Sequence, residues 1–440
     1  MAAVVFAVFF AALVFCLVRG ASIAWALLLL LAGLLLLGHR RGFDRRALWD
    51  MLRRDLPKSM IVLRVLAYIG VLTGLWRTSG TIAFFIYHGV SIISPHLFIL
   101  VTFLLTALLS YALGTSFGVA STAGVVMMAL ARSGGVSTAV TAGAVFSGIY
   151  FGDRGAPTSS CASLVAALTE TDLYGNVRRM FKTAAIPYAL CLAIYSFLSY
   201  KNPITTVDET LLELLSTRFD ISWYAAIPAL VMLVLPLVKF PIRHTMALSA
   251  LSAFVLSLAV QDVGALEALK TAVLGYAPSD ALLASVLSGG GLMSMKMSFI
   301  LIPVAAMCTG LLEGIGVTQK VQELVRAAMQ KCGRLPAMHL LSILCSMVLC
   351  NQTVVVMMCH QLSAPVYRED GAEGEELAMD IANSGVTIAG LVPWCIACAI
   401  PMSMLGVGVE ALPYASLLYL IPLCYLVTKR FHFPKRKETT

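Results

Sequence analysis

The stretch Ser147-Gly148-Ile149-Tyr150-Phe151-Gly152-Asp153-Arg154-Gly155-Ala156-Pro157-Thr158-Ser159-Ser160-Cys161 decides how this chain is read. It sets a carboxylate, Asp153, and a guanidinium, Arg154, inside sequence that is otherwise apolar enough to lie in a membrane. Gly152, Gly155 and Pro157 are residues that a smooth spanning helix avoids, and Thr158, Ser159 and Ser160 add oxygens without charge. Charge within a bilayer is costly and persists chiefly where it faces a cavity and has a task. Backbone broken by Gly and Pro survives at that depth only where protein buries it or where it lines a pathway. Together these features predict a transport site at Asp153–Ser160.

The remaining composition agrees with a membrane setting. Of 440 residues, 59% are hydrophobic and 12% charged, against about 25% charged in soluble domains; the mean hydropathy is +0.89. Repeated apolar runs of about twenty residues suit helical spans, whereas a β-barrel would show short alternating segments. The expected fold class is therefore an all-α polytopic membrane protein with about 10–13 transmembrane helices. The net charge of +8 does not point to nucleic acid, because the basic residues sit in short loops. These are Arg40 to Lys58, Arg178 to Lys182, Lys239 to His244, and a tail from Lys429 to Lys437. That pattern places them in the cytoplasm, with both termini inside, and the net-acidic Thr206–Asp220 stretch outside. The apolar Met1–Val18 lacks a basic leader and a cleavage site, so it is read as a first span and not a signal peptide.

Along the chain, residues 1–38 read as a hairpin of two spans turning at Arg19-Gly20. Residues 39–58 form a basic amphipathic segment with Leu48, Trp49, Leu52 and Leu56 at helical spacing. Two dense apolar regions, 59–200 and 282–428, flank a connecting region, 201–281, and a basic tail closes the chain at 429–440. Each dense region is interrupted at mid-membrane depth, which suggests two inverted repeats with re-entrant or broken helices.

The interruptions supply the candidate ligands. Desolvation favours a protonated carboxyl and a nearby cation favours the carboxylate, so Asp153 could hold either H+ or Na+ in turn. Arg154 would hold the neighbouring backbone or carboxylate; the alternative is a buried structural ion pair. Thr115 and Ser116, in the break Gly114-Thr-Ser-Phe-Gly118, offer oxygens suited to a hard cation; small-residue helix packing is the alternative. In the second region the counterparts are Asn351, Gln352 and Thr353, then Asn383, Ser384 and Thr387 leading to Leu391-Val-Pro-Trp394. Amides supply both donors and acceptors, and Trp394 reads either as a ligand or as an interfacial anchor. Lys296 is taken to snorkel from a span end, and His88, His96, His360 and Glu313 as edge residues. Cys395 and Cys398 form a CxxC without flanking ligands, so helix packing is the expected role. No GxxxxGK[ST] run occurs in the sequence, which disfavours an ATP-driven pump.

Gly114-Thr-Ser-Phe-Gly118, Ala142-Gly-Ala-Val-Phe-Ser-Gly-Ile-Tyr-Phe-Gly-Asp-Arg154 and Thr171-Asp172 before a basic segment resemble, in order and spacing, the NhaC family of sodium/proton antiporters. Asn383-Ser-Gly-Val-Thr387 and Leu391-Val-Pro-Trp394 resemble its second-half motif, and the likeness runs from about residue 60 to 427. It implies an ion-transporter-superfamily fold, secondary transport across the cell membrane and no cofactor. The implied partners are Na+ and H+ as cargo, a small carboxylate or amino acid as the alternative solute, and the lipid bilayer; a homodimer stays open. Where the family reads G-D-K-x-S-P-x-S-D-T-T-N, this chain runs from Gly152 to Ser163. Ser160 stands at the second acidic place, and Cys161, Ala162 and Ser163 replace Thr-Thr-Asn. Asp153 is then the one acid of the motif, which keeps room for an organic substrate of the malate/lactate or amino-acid type.

Overall fold

A computed structural model describes the chain except for residues 1, 20–23, 55, 93, 205–208, 239, 317, 373 and 434–440. The expected turn at Gly20, residues 206–208 of the acidic stretch, Lys239 and the end of the basic tail lie outside the described residues. Those described are almost wholly helical, and the β-structure among them is an isolated bridge between Tyr276 and Gly289. Among the described residues four helices are long and apolar enough to cross a membrane: Pro95–Leu113, Ser116–Ser133, Leu173–Lys201 and Leu292–Gly314. The number is up to seven if each of three bent pairs forms one span, and shorter apolar helices such as Ala24–Arg40 and Arg334–Leu349 accompany them. This is a multi-pass, all-α architecture.

The chain divides into two compact units that interleave along the sequence. One comprises residues 65–164, 172–296 and 400–440, and its centre is the helix Thr138–Gly155 lying along Phe98–Leu113. Glycines four residues apart permit that contact. A Cβ on Gly148 would fall 2.0 Å from Thr106 Oγ1, and one on Gly152 would fall 2.0 Å from the Ser110 carbonyl carbon. Helices associate closely in lipid where small residues let the backbones meet. Ser110 Oγ donates to Ile149 O at 2.5 Å across the same seam.

The opposite face of Thr138–Gly155 is fixed by the buried Tyr195 of the helix Leu173–Lys201. Its hydroxyl donates to Tyr414 O (2.7 Å) and accepts from Ser416 N–H (3.1 Å). Ser147 Oγ lies 2.5 Å away and accepts from Leu417 N–H (3.1 Å). If Ser147 donates to Tyr195, the Tyr195 oxygen accepts twice and its one hydrogen is shared between Tyr414 O and Gly143 O (3.2 Å), so both hydroxyls are satisfied, as buried polar groups require.

The other unit comprises residues 1–64, 165–171 and 297–399. Helices Ala2–Arg19 and Ala24–Arg40 pair, with Gly33 against Val5. The expected amphipathic segment is the helix Arg45–Arg54: Leu48 and Leu52 are buried, Trp49 is 55% exposed, and Arg53 lies over the Trp49 ring. At the end of Gln352–Glu369, Arg334 bridges Asp370 (2.9 Å) and Glu376 (3.0 Å), and Arg326 pairs with Glu369.

Gly152→Ala should lower the melting temperature in detergent, because its methyl must displace the Ser110 backbone at a cost of ~1–3 kcal/mol. Gly155→Ala, whose methyl meets nothing nearer than Met180 Cβ at 3.9 Å, should leave the transition within the error of the measurement. Equal effects from the two substitutions would refute the close seam.

Candidate functional site

Thr138–Gly155 delivers Asp153 and Arg154 in its last turn, 6% and 1% exposed. The helix ends there because Pro157 pushes Ala156 into extended backbone (φ −84°, ψ 142°). Ser159, fully buried, joins the ends of two helices. Its hydroxyl donates to Asp153 O and accepts the N–H groups of Cys161 (3.1 Å) and Ala162 (3.2 Å), which opens Ser160–Leu168. Arg154 reaches to Leu173–Lys201, donating to Thr183 Oγ1 (2.8 Å) and Met180 O (3.1 Å). It therefore ties the end of its own helix to the backbone of Leu173–Lys201. Thr158 and Ser160 are exposed.

The Gly114 break lies against this turn. Gly114 adopts φ +67°, closing Phe98–Leu113, and a Cβ there would fall 2.4 Å from Thr158 Oγ1 and 2.7 Å from Ser159 N. Thr115 is extended and caps the next helix, its Oγ1 accepting Gly118 N–H at 3.3 Å, and Ser116 is buried. Thus two breaks that are about forty residues apart in sequence meet within one unit, beside Asp153. Ser121 and Thr122 bond back to Gly118 O, as small-residue packing predicts.

The other unit repeats the arrangement with different residues. Arg334–Leu349 ends at Cys350 in the left-handed region (φ 54°), and Asn351 is extended and caps Gln352–Glu369, its Oδ1 accepting Thr353 and Val354 N–H (3.0 and 3.4 Å). Gln352 Nε2 donates to Val386 O (2.9 Å), which joins this break to the Asn383 segment. Asn383, Ser384 and Thr387 are fully buried; the Thr387 hydroxyl bonds back to Asn383 O and Ser384 O, while Thr353 is exposed. Trp394 is 5% exposed and donates to Met347 O at 2.7 Å. It satisfies a carbonyl in the last turn of Arg334–Leu349. Cys395 and Cys398 are free and buried among apolar neighbours.

One buried acid escaped the sequence reading. Asp380, fully buried in Glu375–Ala382, receives the Tyr367 hydroxyl on its carboxylate, and its carbonyl accepts the Ser384 hydroxyl. Asp153 O accepts Ser159 in the same way. The signal was present, since an acid flanked by Leu377, Ala378, Met379, Ile381 and Ala382 is as misplaced in apolar sequence as Asp153. Among the described residues no cluster of three or more His, Cys, Asp or Glu side chains is placed to hold a metal ion.

Residues 148–429, which include both Asp-bearing helix ends and the Asn351 break, match the model of the Na+/H+ antiporter family. The chain belongs to that family. Among the relatives of this antiporter, the malate-2H(+)/Na(+)-lactate antiporter of Bacillus subtilis strain 168 is 26% identical over 82% of the chain and 78% of its own length. The Na(+)/H(+) antiporter NhaC of Alkalihalophilus pseudofirmus is 26% identical over 81% and 79%. The arginine/ornithine antiporter ArcD of Halobacterium salinarum is 24% identical over 86% and 81%. The protein is a secondary Na+/H+ antiporter, a transporter and not an enzyme, as the NhaC-like motifs led one to expect.

Because Ser159 and Asn351 each cap a helix, Ser159→Ala and Asn351→Ala should each destabilise the antiporter by ~1 kcal/mol. Ser160→Ala, at an exposed hydroxyl, should not. Differential scanning fluorimetry in one detergent checks all three, and a loss at Ser160 equal to that at Ser159 contradicts the capping assignment.

Proposed function

We propose that Asp153 is the coupling carboxylate, holding Na+ and H+ in alternation as the antiporter changes the side to which the site opens. The observation that carries this reading is the buried Asp153 at the junction where the Gly114–Thr115 break meets the Thr158–Ser159 turn. Na+ takes oxygen ligands, and this junction has the carboxylate, the Thr115, Ser116 and Thr158 hydroxyls, and carbonyls freed where helices stop. A proton or a sodium ion each neutralises the carboxylate, so the charge to be desolvated is the same in both loaded forms. The empty carboxylate is costly to bury, which disfavours a change of side without cargo.

Asp380 is the counterpart in the other half. The two breaks share one backbone signature: Gly114 (φ 67°, ψ 26°) then Thr115 (−142°, 127°), and Cys350 (54°, 14°) then Asn351 (−140°, 118°). This matching supports two related repeats, 59–200 and 282–428. Tyr367, under the Arg334 guanidinium at 5.4 Å, connects Asp380 to the Arg334–Glu376 pair. That chain of polar groups suits proton access to Asp380. The basic loops support residence in the cell membrane with cytoplasmic termini.

A second reading, a carrier coupling Na+ or H+ to a small carboxylate or amino acid, is favoured by Ser160 at the family's second acidic place and by the malate/lactate and arginine/ornithine antiporters among the relatives.

In proteoliposomes, Asp153→Asn should reduce Na+-driven pH change to the level of protein-free vesicles; wild-type exchange by that variant would sink the assignment. Asp380→Asn should slow exchange at least tenfold, and Tyr367→Phe less, with Asp380→Asn indistinguishable from wild type as the adverse result. Counterflow uptake of labelled carboxylates and amino acids decides the second reading.

A further inference from the structure

Away from Asp153, the unit formed by residues 65–164, 172–296 and 400–440 contains a cavity of about 520 Å³. That lies within the ~300–1,000 Å³ usual for small-molecule sites. Arg77 and Arg132 both line it, with Ser294, Ser403 and Glu410. Two guanidiniums in one cavity repel each other, and each costs free energy to desolvate unless an opposite charge is near. Among the described residues neither has a carboxylate within ion-pair distance. The Glu410 side chain is exposed, and its carboxylate accepts the Gly408 N–H at 2.8 Å.

The two arginines are committed to different degrees. Arg132 Nη2 donates to Leu405 O (2.8 Å), closing the end of Ile396–Leu405, so part of its role is structural. Arg77 is 7% exposed, and Nη1 donates to Thr73 O on its own helix at 2.6 Å. Its Nε is buried without a partner. A guanidinium has five N–H donors and no acceptor, so Arg77 retains donor capacity that no carboxylate among the described residues takes up. The wall beside it is backbone: Gly289, Gly290 and Gly291 all have positive φ, and a Cβ on Gly289 would fall 3.9 Å from Arg77 Nη2. The missing side chains leave space next to the charge. The Tyr276–Gly289 bridge, with both hydrogen bonds at 2.9 Å, fixes that wall.

We propose that this cavity is an oxyanion site that takes a small carboxylate solute, with Arg77 as its principal donor and Arg132 beside it; the Ser294 and Ser403 hydroxyls donate to Gly291 O (2.7 Å) and Met295 Sδ (3.2 Å) and shape the wall. Carboxylates match the planar guanidinium fork, often through two parallel hydrogen bonds. Arg154 and Lys296 are less suited to meet a carboxylate solute. Arg154 is spent on Met180 and Thr183, and Lys296 is exposed at the start of its helix. The site deepens the carboxylate-carrier reading and rests on it, but it uses none of the residues assigned to ion coupling.

The test is calorimetric titration of the purified full chain in detergent with L-malate, L-lactate and glycerol 1-phosphate. At least one carboxylate should bind saturably, and Arg77→Gln should raise its Kd tenfold or more. Arg77→Lys, which keeps the charge but loses the fork, should weaken binding less than Arg77→Gln, and Ser403→Leu, which narrows the cavity, should weaken it. Size-exclusion profiles verify folding, and Ser403→Leu keeps the test decisive if Arg77→Gln misfolds. Absence of saturable carboxylate binding to the wild type overturns the proposal. So does wild-type affinity in both Arg77→Gln and Ser403→Leu. Binding of glycerol 1-phosphate alone overturns the carboxylate assignment in favour of a lipid headgroup. Binding is read without an ion gradient, so its failure leaves Na+/H+ exchange standing, and failed counterflow with intact binding counts against the carrier reading alone.

Discussion

The constraint on which the rest depends is that a helix broken within a bilayer must satisfy its exposed backbone groups inside the protein. Unbonded N–H and C=O groups in hydrocarbon cost several kcal/mol each, and a helix end carries up to four of them. The antiporter meets this cost locally. Thr115, Ser159 and Asn351 cap helices that restart after a break, Trp394 takes the Met347 carbonyl, and Ile396 N–H takes the Cys350 carbonyl at 2.8 Å. Once the ends are satisfied, a polar pocket can exist beside them without unfolding the helices that make it.

This division of labour separates residues that look alike in sequence. Thr158, Ser159 and Ser160 form one hydroxyl run, yet Ser159 is the structural member: it is buried and holds two helices together, while its neighbours are exposed. Asn351 and Thr115 likewise spend oxygen lone pairs on N–H groups before any ion arrives. The remainder of the polar groups there is the Asp153 carboxylate, proposed above for coupling, and the oxygens that do not serve as caps. Around that remainder the scaffold is rigid, because glycines at 148 and 152 bring backbones into contact and Tyr195 ties the Asp153 helix to residues 414–417. Rigid elements bearing a few free oxygens are what an ion site requires.

The apparent loss of an acid at Ser160 looks different beside Asp380. The family's second acidic place is vacant in this chain, but a second carboxylate is buried in the other half, hydrogen-bonded to Tyr367. The two halves therefore each have a left-handed break, an extended polar cap and an Asp whose carbonyl accepts a downstream Ser hydroxyl. Equivalent backbone solutions reached with different residues are expected when weakly similar repeats face the same hydrogen-bonding constraint.

The sequence by itself determined the solvent and the class of fold, and it singled out Asp153 as the first candidate. Hydropathy, loop charge and a charged Gly/Pro break are properties of local composition, and the bilayer's cost for charge and free backbone turns them directly into structure. Asp380 was legible on the same ground, as an acid with apolar residues on both sides, four residues after Glu376. Tertiary structure alone decided which oxygens cap helices and which stay available, because a cap depends on dihedrals and on N–H groups that point at it. It also decided that Gly114 lies on Thr158 and that Arg77 and Arg132 share a cavity. These pairs are 44 and 55 residues apart, and no spacing in the chain encodes a contact made by helices that pack through glycine.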